Sequence, residues 1–264
     1  MQQLQAAHAV HPFYGVRRLA IHLGWSENKA RRIRDLAGVQ VPRAGKQYKY
    51  KRGSKAEIAA PPNILHRYAA FKNENRPQDG MSYAAMVTAE AWAQDFTYLW
   101  FEQSFCYLAV VLSLKTRQVV GWRLGTSHSS ELTYAALLDA LSKHHPPNIL
   151  HSDQGSEYLS QKHQLLCERL EIQFSASNKA SPWQNGYMER WFGGLKQELP
   201  PLSQLQGIAQ LHEAIAMHIH YYNTERIHTA LKMSPAAYAA SLNSASLERV
   251  SGSQYTEHTP QVTS

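Results

Sequence analysis

The apolar residues of this chain change their spacing near residue 91, and the change divides the sequence into two regions. Between residues 14 and 38 they recur every three or four positions, which is the spacing of one face of an α-helix. Two residues interrupt that spacing: Gly24 can end the first helix, and Ser26 can cap the second. Residues 14–38 therefore predict two short helices joined by a tight turn, the arrangement found in a helix-turn-helix.

From about residue 91 onward, short runs rich in Val, Tyr, Trp and Phe alternate with amphipathic segments. The runs predict strands over 91–101, 105–114, 118–125, 148–153 and 171–177. The amphipathic segments predict helices over 130–144, 161–170, 186–199, 203–222 and 234–241. Three strands followed by alternating helices and strands require an α/β fold, with a mixed five-stranded sheet and helices on both faces.

Positive charge is concentrated in the first sixty residues. They carry twelve Lys and Arg against three Asp and Glu, whereas the whole chain has a formal net charge of +7. A basic arm joined to a near-neutral remainder indicates a polyanionic partner, most simply nucleic acid. The side chains expected to contact DNA are Arg31, Arg32 and Arg34 on the second helix, and Lys49, Lys51 and Arg52 among the tyrosines that follow.

Pattern and charge together predict four segments. Residues 1–40 form a small DNA-binding module that resembles a helix-turn-helix, and 41–90 form a basic and polar linker. Residues 91–241 form the α/β core with its C-terminal helices, and 242–264 form a flexible tail rich in Ser, Thr and Gln.

The remaining composition favours a soluble globular protein. The longest apolar run, Cys106 to Leu114, is too short to cross a bilayer, and the N-terminus lacks the pattern of a signal peptide. We therefore expect a cytoplasmic location and no membrane partner. In that reducing compartment, Cys106 and Cys167 are expected to be buried free thiols.

Three carboxylates are the candidates for chemistry. Asp95 lies inside the first strand of the core, Asp153 ends the fourth, and thirty-five residues separate Asp153 from Glu189 on a helix. Taken singly, Asp153 could be a turn residue and Glu189 a solvated helix position. If the first and fourth strands are neighbours, however, the two aspartates meet, and Glu189 approaches from a helix packed on the sheet.

Three carboxylates in close proximity repel one another unless cations lie between them. Hard oxygen ligands suit Mg²⁺ or Mn²⁺, and two such ions support an in-line displacement at phosphorus. The predicted catalytic and metal-binding residues are therefore Asp95, Asp153 and Glu189.

Neighbouring residues are candidates for substrate contacts. Lys196 lies seven residues beyond Glu189 on the same helix face, where it would reach a phosphate. Asn185 precedes the helix and would either cap it or touch DNA. His151 and Gln154 flank Asp153 and would orient it or meet the substrate.

Several segments resemble the integrase-core transposases of bacterial insertion sequences, whose catalytic domain is similar to retroviral integrase. The matching segments are WAQDFTYL at 92–99, YLAVVLSLKTRQVVGW at 107–122, HSDQGSEY at 151–158, SASNKASPWQNGYMERWFGGLKQE at 175–198 and YYNTERIHTAL-x-x-SP at 221–235. The DDE triad of this family falls on Asp95, Asp153 and Glu189, with the family's own spacing between the second and third residues. The fold that the resemblance implies is ribonuclease H-like.

The resemblance implies metal-dependent DNA strand cleavage and strand transfer, with two Mg²⁺ or Mn²⁺ ions. The implied partners are element-end and target DNA, further copies of the chain on that DNA, and an upstream helix-turn-helix polypeptide. The implied location is the bacterial cytoplasm, in association with the nucleoid. Two alternatives remain open: a catalytically silent or domesticated DNA-binding regulator, and a ribonuclease H-like nuclease that only hydrolyses.

Overall fold

Three helices form the N-terminal part of the protein. The computed structural model describes residues 1–42, 61–68, 70–71, 81–82, 89–178 and 181–252 of the chain. The N-terminal helices are α1 (Gln2–Val10), α2 (Val16–Leu23) and α3 (Glu27–Leu36). Gly24 ends α2 in the left-handed conformation, and Ser26 Oγ accepts a hydrogen bond from the backbone N–H of Lys29 at the start of α3.

The pair α2 and α3 confirms the two predicted helices and their tight turn. Helix α1 was not predicted, because its Gln- and Ala-rich sequence has only a weak apolar stripe.

A mixed five-stranded sheet forms the centre of the larger part. Its strands are β3 (Ala91–Phe101), β4 (Ser104–Ser113), β5 (Val119–Gly125), β6 (Ile149–Ser152) and β7 (Gln173–Ala176), after a short antiparallel pair, β1 (Ala70–Phe71) and β2 (Met81–Ser82). The order in the sheet is β5-β4-β3-β6-β7. The first three strands are antiparallel, and β6 and β7 run parallel to β3. The prediction of a mixed five-stranded sheet is confirmed.

Helices cover both faces of this sheet. They are α4 (Ser130–Leu141), α5 (Gln161–Arg169), α6 (Gly186–Glu198) and α7 (Gly207–Thr224), and α8 (Pro235–Gly252) packs against α7. On β4, Val110 belongs to the apolar cluster with α6 and α7, whereas Val111 belongs to the cluster with α4 and α5. Alternate residues of a strand face opposite sides, so this division shows a sheet buried on both faces.

Close packing fixes α4 against β5. A Cβ at Gly121 would lie 2.5 Å from both the carbonyl oxygen of Ala136 and the backbone nitrogen of Ala140.

Cys106 and Cys167 are buried free thiols, as predicted. In the described part of the chain, no helix combines the length and the apolar character needed to span a bilayer.

Two boundaries differ from the sequence prediction. Part of the predicted linker belongs to the core: Leu65 is fully buried, and its N–H donates to Ser175 Oγ at 3.2 Å. Helix α8 continues to Gly252 and so enters the predicted flexible tail. Residues 253–264 lie outside the described residues, as do Lys49, Lys51 and Arg52.

The N-terminal helices pack against the end of α7. His11 Nδ1 lies 2.8 Å from the hydroxyl of Tyr221, and the hydroxyl of Tyr14 accepts a hydrogen bond from the N–H of Ile227 at 2.7 Å. These contacts place α2 next to the helices that cover one face of the sheet.

Candidate active site

The register between β3 and β6 brings two of the predicted carboxylates together. The strands pair in parallel from Ala91 opposite Ile149 to Ala93 opposite His151. The pairing ends at that point; continued by two residues, the same register would place Asp95 opposite Asp153, one residue past the end of β6. Opposed residues on parallel strands about 4.8 Å apart point to the same face. The predicted neighbourhood of the first and fourth strands is confirmed.

Local hydrogen bonds fix the direction of both carboxylates. Asp95 Oδ1 accepts from the N–H of Phe96 at 2.8 Å, and Asp153 Oδ1 accepts from the N–H of Gly155 at 2.9 Å. Both side chains are half-buried. The strand and the loop therefore orient the two groups before any substrate arrives.

Asn185 connects α6 to this pair of aspartates. Its Nδ2 donates to Asp95 Oδ2 at 3.3 Å, and its Oδ1 is buried without a hydrogen-bond partner. The side chain makes no capping hydrogen bond, since its backbone (φ −114°, ψ 26°) is not in the extended conformation of a side-chain cap. The expectation that Asn185 caps α6 is therefore wrong, and the side chain contacts a candidate catalytic residue instead.

Glu189 lies in the first turn of α6, four residues after Asn185, and its side chain is exposed. Residues with that separation share a helix face, so Glu189 lies on the side of α6 that approaches Asp95. The described residues contain no group of three His, Cys, Asp or Glu side chains close enough to bind a metal ion. Asp95 therefore lies on a strand next to β6, which Asp153 follows, and the three predicted carboxylates do not form a closed cluster in the described residues.

The donors around the pair fit a hard divalent cation. The carboxylates of Asp95 and Asp153 and the amide oxygen of Asn185, which lacks a hydrogen-bond partner, are the kinds of oxygen ligand that Mg²⁺ and Mn²⁺ prefer. His151 is not available to such a site. Its two ring nitrogens lie 3.0 Å from the hydroxyls of Ser175 and Ser177, and complete burial lowers its pKa to about 4. His151 therefore ties β6 to β7, and the expectation that it orients Asp153 or meets substrate is not met.

Lys196 packs against the strand that carries Asp95. Its Nζ lies 4.7 Å from the centre of the Tyr98 ring, and burial lowers its pKa. Of the other predicted DNA contacts, Gln154 is exposed beside Asp153, and Arg31 and Arg32 are exposed on α3. Arg34 pairs with Asp35 at 2.9 Å.

A fourth carboxylate near Asp153 was missed at the sequence level. Glu157 is 4% exposed, and its Oε1 lies 3.1 Å from Nε2 of His128. A Cβ at Gly155 would contact carboxylate oxygens of both Glu157 and Asp153, so a side chain cannot be placed there without moving one of them. The signal in the sequence was a second acidic residue four positions after Asp153, but its partner His128 lies in a distant segment.

Known proteins resemble the chain across this region. Two family models, both described as integrase core domain, match residues 88–182 and 170–235. The chain is 30% identical over 191 residues to the transposase for insertion sequence element IS904 of Lactococcus lactis, covering 71% of this chain and 70% of that protein. It is 28% identical to the putative transposase InsK for insertion sequence element IS150 of Escherichia coli, covering 85% of this chain and 77% of that protein.

A solved structure shares the fold. The similar chain belongs to the cryoEM structure of a simian T-cell lymphotropic virus intasome in complex with the PP2A regulatory subunit B56 gamma. The TM-score is 0.50 at 17% identity, covering 99% of this chain and 78% of the viral one. Together with the mixed sheet, this likeness shows the ribonuclease H-like fold expected from the sequence.

Proposed function

We propose that Asp95, Asp153 and Glu189 carry out strand cleavage and strand transfer in this chain, which belongs to the integrase-core transposases of insertion sequences. The observation that supports this assignment is the parallel pairing of β3 with β6, whose register, continued by two residues, would place Asp95 opposite Asp153. The contact between Asn185 and Asp95 adds to it, because it brings the start of α6, and with it Glu189, to the same face of the sheet.

The family depends on divalent metal ions, and we propose that the ions here are two Mg²⁺ or Mn²⁺. Asp95 and Asp153 would hold them, and Glu189 would complete the coordination from α6. When bound, such ions activate the attacking oxygen and stabilise the leaving oxygen in a displacement at phosphorus. Asn185 would keep the carboxylate of Asp95 in position through its amide group.

The proposed reaction has two displacements. In the first, a water oxygen bonds to phosphorus at the element end, the bond from phosphorus to O3′ breaks, and a 3′-hydroxyl is released. In the second, that 3′ oxygen bonds to a phosphorus of target DNA and displaces another O3′, which joins the two DNAs. The contribution of the protein is to position the reacting groups and to neutralise charge.

The remaining predicted residues would hold the DNA. Lys196 would reach a phosphate beside the carboxylates, with Asn185 and Gln154 lining the same path. Arg31, Arg32 and Arg34 on α3, with Lys49, Lys51 and Arg52, would bind the element end. The reaction needs two element ends at once, so we propose that several copies of the chain assemble on DNA, in a nucleoid-associated complex that an upstream helix-turn-helix polypeptide would join.

The test is the variant Asp153→Asn in a joining assay with pre-cut element ends and Mg²⁺. Loss of a metal-binding carboxylate should abolish strand transfer, while affinity for the same DNA changes by less than about twofold because no positive charge is lost. Full joining by the folded variant would refute the assignment. Wild-type protein that binds ends without cutting would favour the regulator, and wild-type protein that nicks without joining would favour the hydrolytic nuclease.

A further inference from the structure

A cavity of about 300 Å³ lies on the side of α6 that faces away from Asn185 and Glu189. The side chains of α6 advance by about 100° per residue, so the stripe through Tyr187, Trp191 and Gly194 lies nearly opposite Glu189. The cavity is closed by residues from α2, from the turn between β4 and β5, and from the segment that follows α7.

The lining of this cavity is strongly basic. Among the described residues, four guanidinium groups reach it from four separate segments, whereas one carboxylate, that of Glu198, does so. The basic residues are Arg18 on α2, Arg117 between β4 and β5, Arg190 on α6 and Arg226 after α7. A basic lining of this kind attracts anions, and the walls of the cavity strengthen that attraction because they exclude water.

The single carboxylate is already engaged. Arg226 donates to both oxygens of Glu198, from Nη2 to Oε1 at 2.6 Å and from Nε to Oε2 at 2.8 Å and to Oε1 at 3.1 Å. Arg18 lies further away, with Nη1 3.9 Å from Oε1 of the same carboxylate. In the described part of the chain, Arg117 and Arg190 have no carboxylate partner.

Several donors around the cavity are buried without an acceptor. They are Nε and Nη1 of Arg117, Nε of Arg18 and Nε1 of Trp191, and Nδ1 of His228 is likewise buried without a partner. Buried polar groups are nearly always hydrogen-bonded, and leaving a charged donor unpaired is the most costly exception. A concentration of such groups around one cavity indicates a ligand that accepts hydrogen bonds.

Arg117 is held in place for such a ligand. Its guanidinium carbon lies 3.9 Å from the centre of the Tyr187 ring, and stacking on that face uses none of the N–H donors of the guanidinium. The residue has φ 66°, a left-handed conformation that is uncommon for a residue other than glycine and occurs at functional sites. Burial, and then the positive charge of Arg117, Arg226 and Arg18, lowers the pKa of His228 to about 4, which agrees with a positive field in the cavity.

We propose that this cavity binds one phosphate-type oxyanion, with Arg117 and Arg18 as the principal donors. Arginine forks bind the oxygens of phosphate with two parallel hydrogen bonds, which a chloride ion cannot accept in the same way. Because Arg18 comes from α2 and Arg117 from the turn between β4 and β5, the bound anion holds the N-terminal helices on the core. The phosphate is that of a DNA backbone or of free inorganic phosphate, and the proposed function enters only by supplying DNA as a source.

The first measurement is the thermal unfolding midpoint of the full chain in inorganic phosphate and in chloride at equal ionic strength. Phosphate should raise the midpoint of the wild type, because a ligand that binds the folded state stabilises it. The variants Arg117→Gln and Arg18→Gln should lose that response. Arg169→Gln is the matched control, since it removes an exposed arginine from α5 on the opposite face of the sheet and should keep the full response.

The second measurement finds the source of the phosphate through the salt dependence of binding to a short non-specific DNA duplex. If a backbone phosphate occupies the cavity, the slope of log K against log salt should become less negative by about 0.9 in Arg117→Gln but not in Arg169→Gln. If Arg117→Gln loses the stabilisation by phosphate but keeps the wild-type slope with DNA, the cavity binds free phosphate.

No phosphate response in the wild type and no change of slope would overturn the proposal. If Arg117→Gln does not fold, Arg18→Gln provides the same two comparisons from the other side of the cavity. Neither measurement requires strand transfer, so the result is independent of the assay that tests the three carboxylates.

Discussion

The two sides of α6 have opposite electrostatic character although they belong to a single helix of thirteen residues. On one side Glu189 follows Asn185, which contacts Asp95, and the charges there are chiefly negative. On the other side Arg190 and Glu198 face a cavity where guanidinium groups outnumber carboxylates four to one.

The difference shows how one helix can serve two kinds of ligand. The carboxylate side has the oxygen donors that divalent cations require, and its negative charge would by itself repel DNA. The arginine side has the N–H donors that phosphates require. Because both sides are fixed to the same helix, the distance between a phosphate bound on one side and the reacting groups on the other would stay constant.

The largest expected effect comes from Glu189→Gln, which removes a charge from the carboxylate side. Strand transfer should fall by about 10³-fold or more, since Glu189 is proposed to complete the coordination of the metal ions that stabilise the reacting oxygens. The measurement is the rate of joining of pre-cut ends at saturating DNA. The matched control is Glu168→Gln, the same change at an exposed position on α5, and it should join at the wild-type rate.

The adjacent residue sharpens this comparison. Arg190→Gln alters the arginine side one position further along α6, so it should weaken DNA binding while leaving the joining rate at saturating DNA within about twofold of wild type. Equal losses of joining rate in Glu189→Gln and Arg190→Gln would show that the two sides do not have separate roles.

The next largest effect is expected from Glu198→Gln on the arginine side. The carboxylate and its partner Arg226 are 5% and 9% exposed, so removal of one member leaves a buried charge without compensation. Such a loss destabilises proteins by about 3–5 kcal/mol, which urea unfolding can measure. The double variant Glu198→Gln with Arg226→Gln should regain part of that free energy, because the unpaired charge is removed as well.

An unfolding free energy that stays within about 0.5 kcal/mol of wild type in Glu198→Gln would contradict this expectation, since that is the range of ordinary surface substitutions. Phosphate provides a second readout. The variant has one less negative charge in the cavity, so phosphate should raise its unfolding midpoint more than it raises that of the wild type.

The carboxylate side could be predicted from the sequence, whereas the arginine side could not. Asp95 interrupts one apolar strand and Asp153 follows another. The order of the strands alone suggested that these two strands would be neighbours. The four arginines of the cavity come from segments that share no spacing, and the position of Arg18 among them depends on how the N-terminal helices pack against the end of α7. Local patterns contain no information about such packing.

Side-chain direction was also beyond the sequence. Asn185 was expected to cap α6 or touch DNA, but its backbone conformation turns the amide toward Asp95. His151 was expected near substrate, yet it lies in the core because two serines of the neighbouring segment bind both of its nitrogens. In both cases a long-range partner decided the outcome.

The smallest expected effect concerns the pH dependence of stability on the arginine side. The pKa of His228 is about 4 in the folded protein and about 6.5 in an unfolded chain. Between those values the unfolded state binds a proton that the folded state does not, so the unfolding free energy falls as the pH falls from about 6.5 to about 4. Each such histidine contributes a slope of up to about 1.4 kcal/mol per pH unit.

His228→Gln should therefore make the loss of stability between pH 6 and pH 5 smaller by about 1 kcal/mol, measured by urea unfolding at each pH. The exposed His220 on α7 provides the control, and His220→Gln should keep the wild-type slope. Arg117→Gln should give an intermediate slope, because removing one of the charges that repel the protonated imidazole raises the pKa of His228. A wild-type slope in both His228→Gln and Arg117→Gln would mean that the arginines do not act on this histidine, and the positive field inferred for the cavity would lose its support.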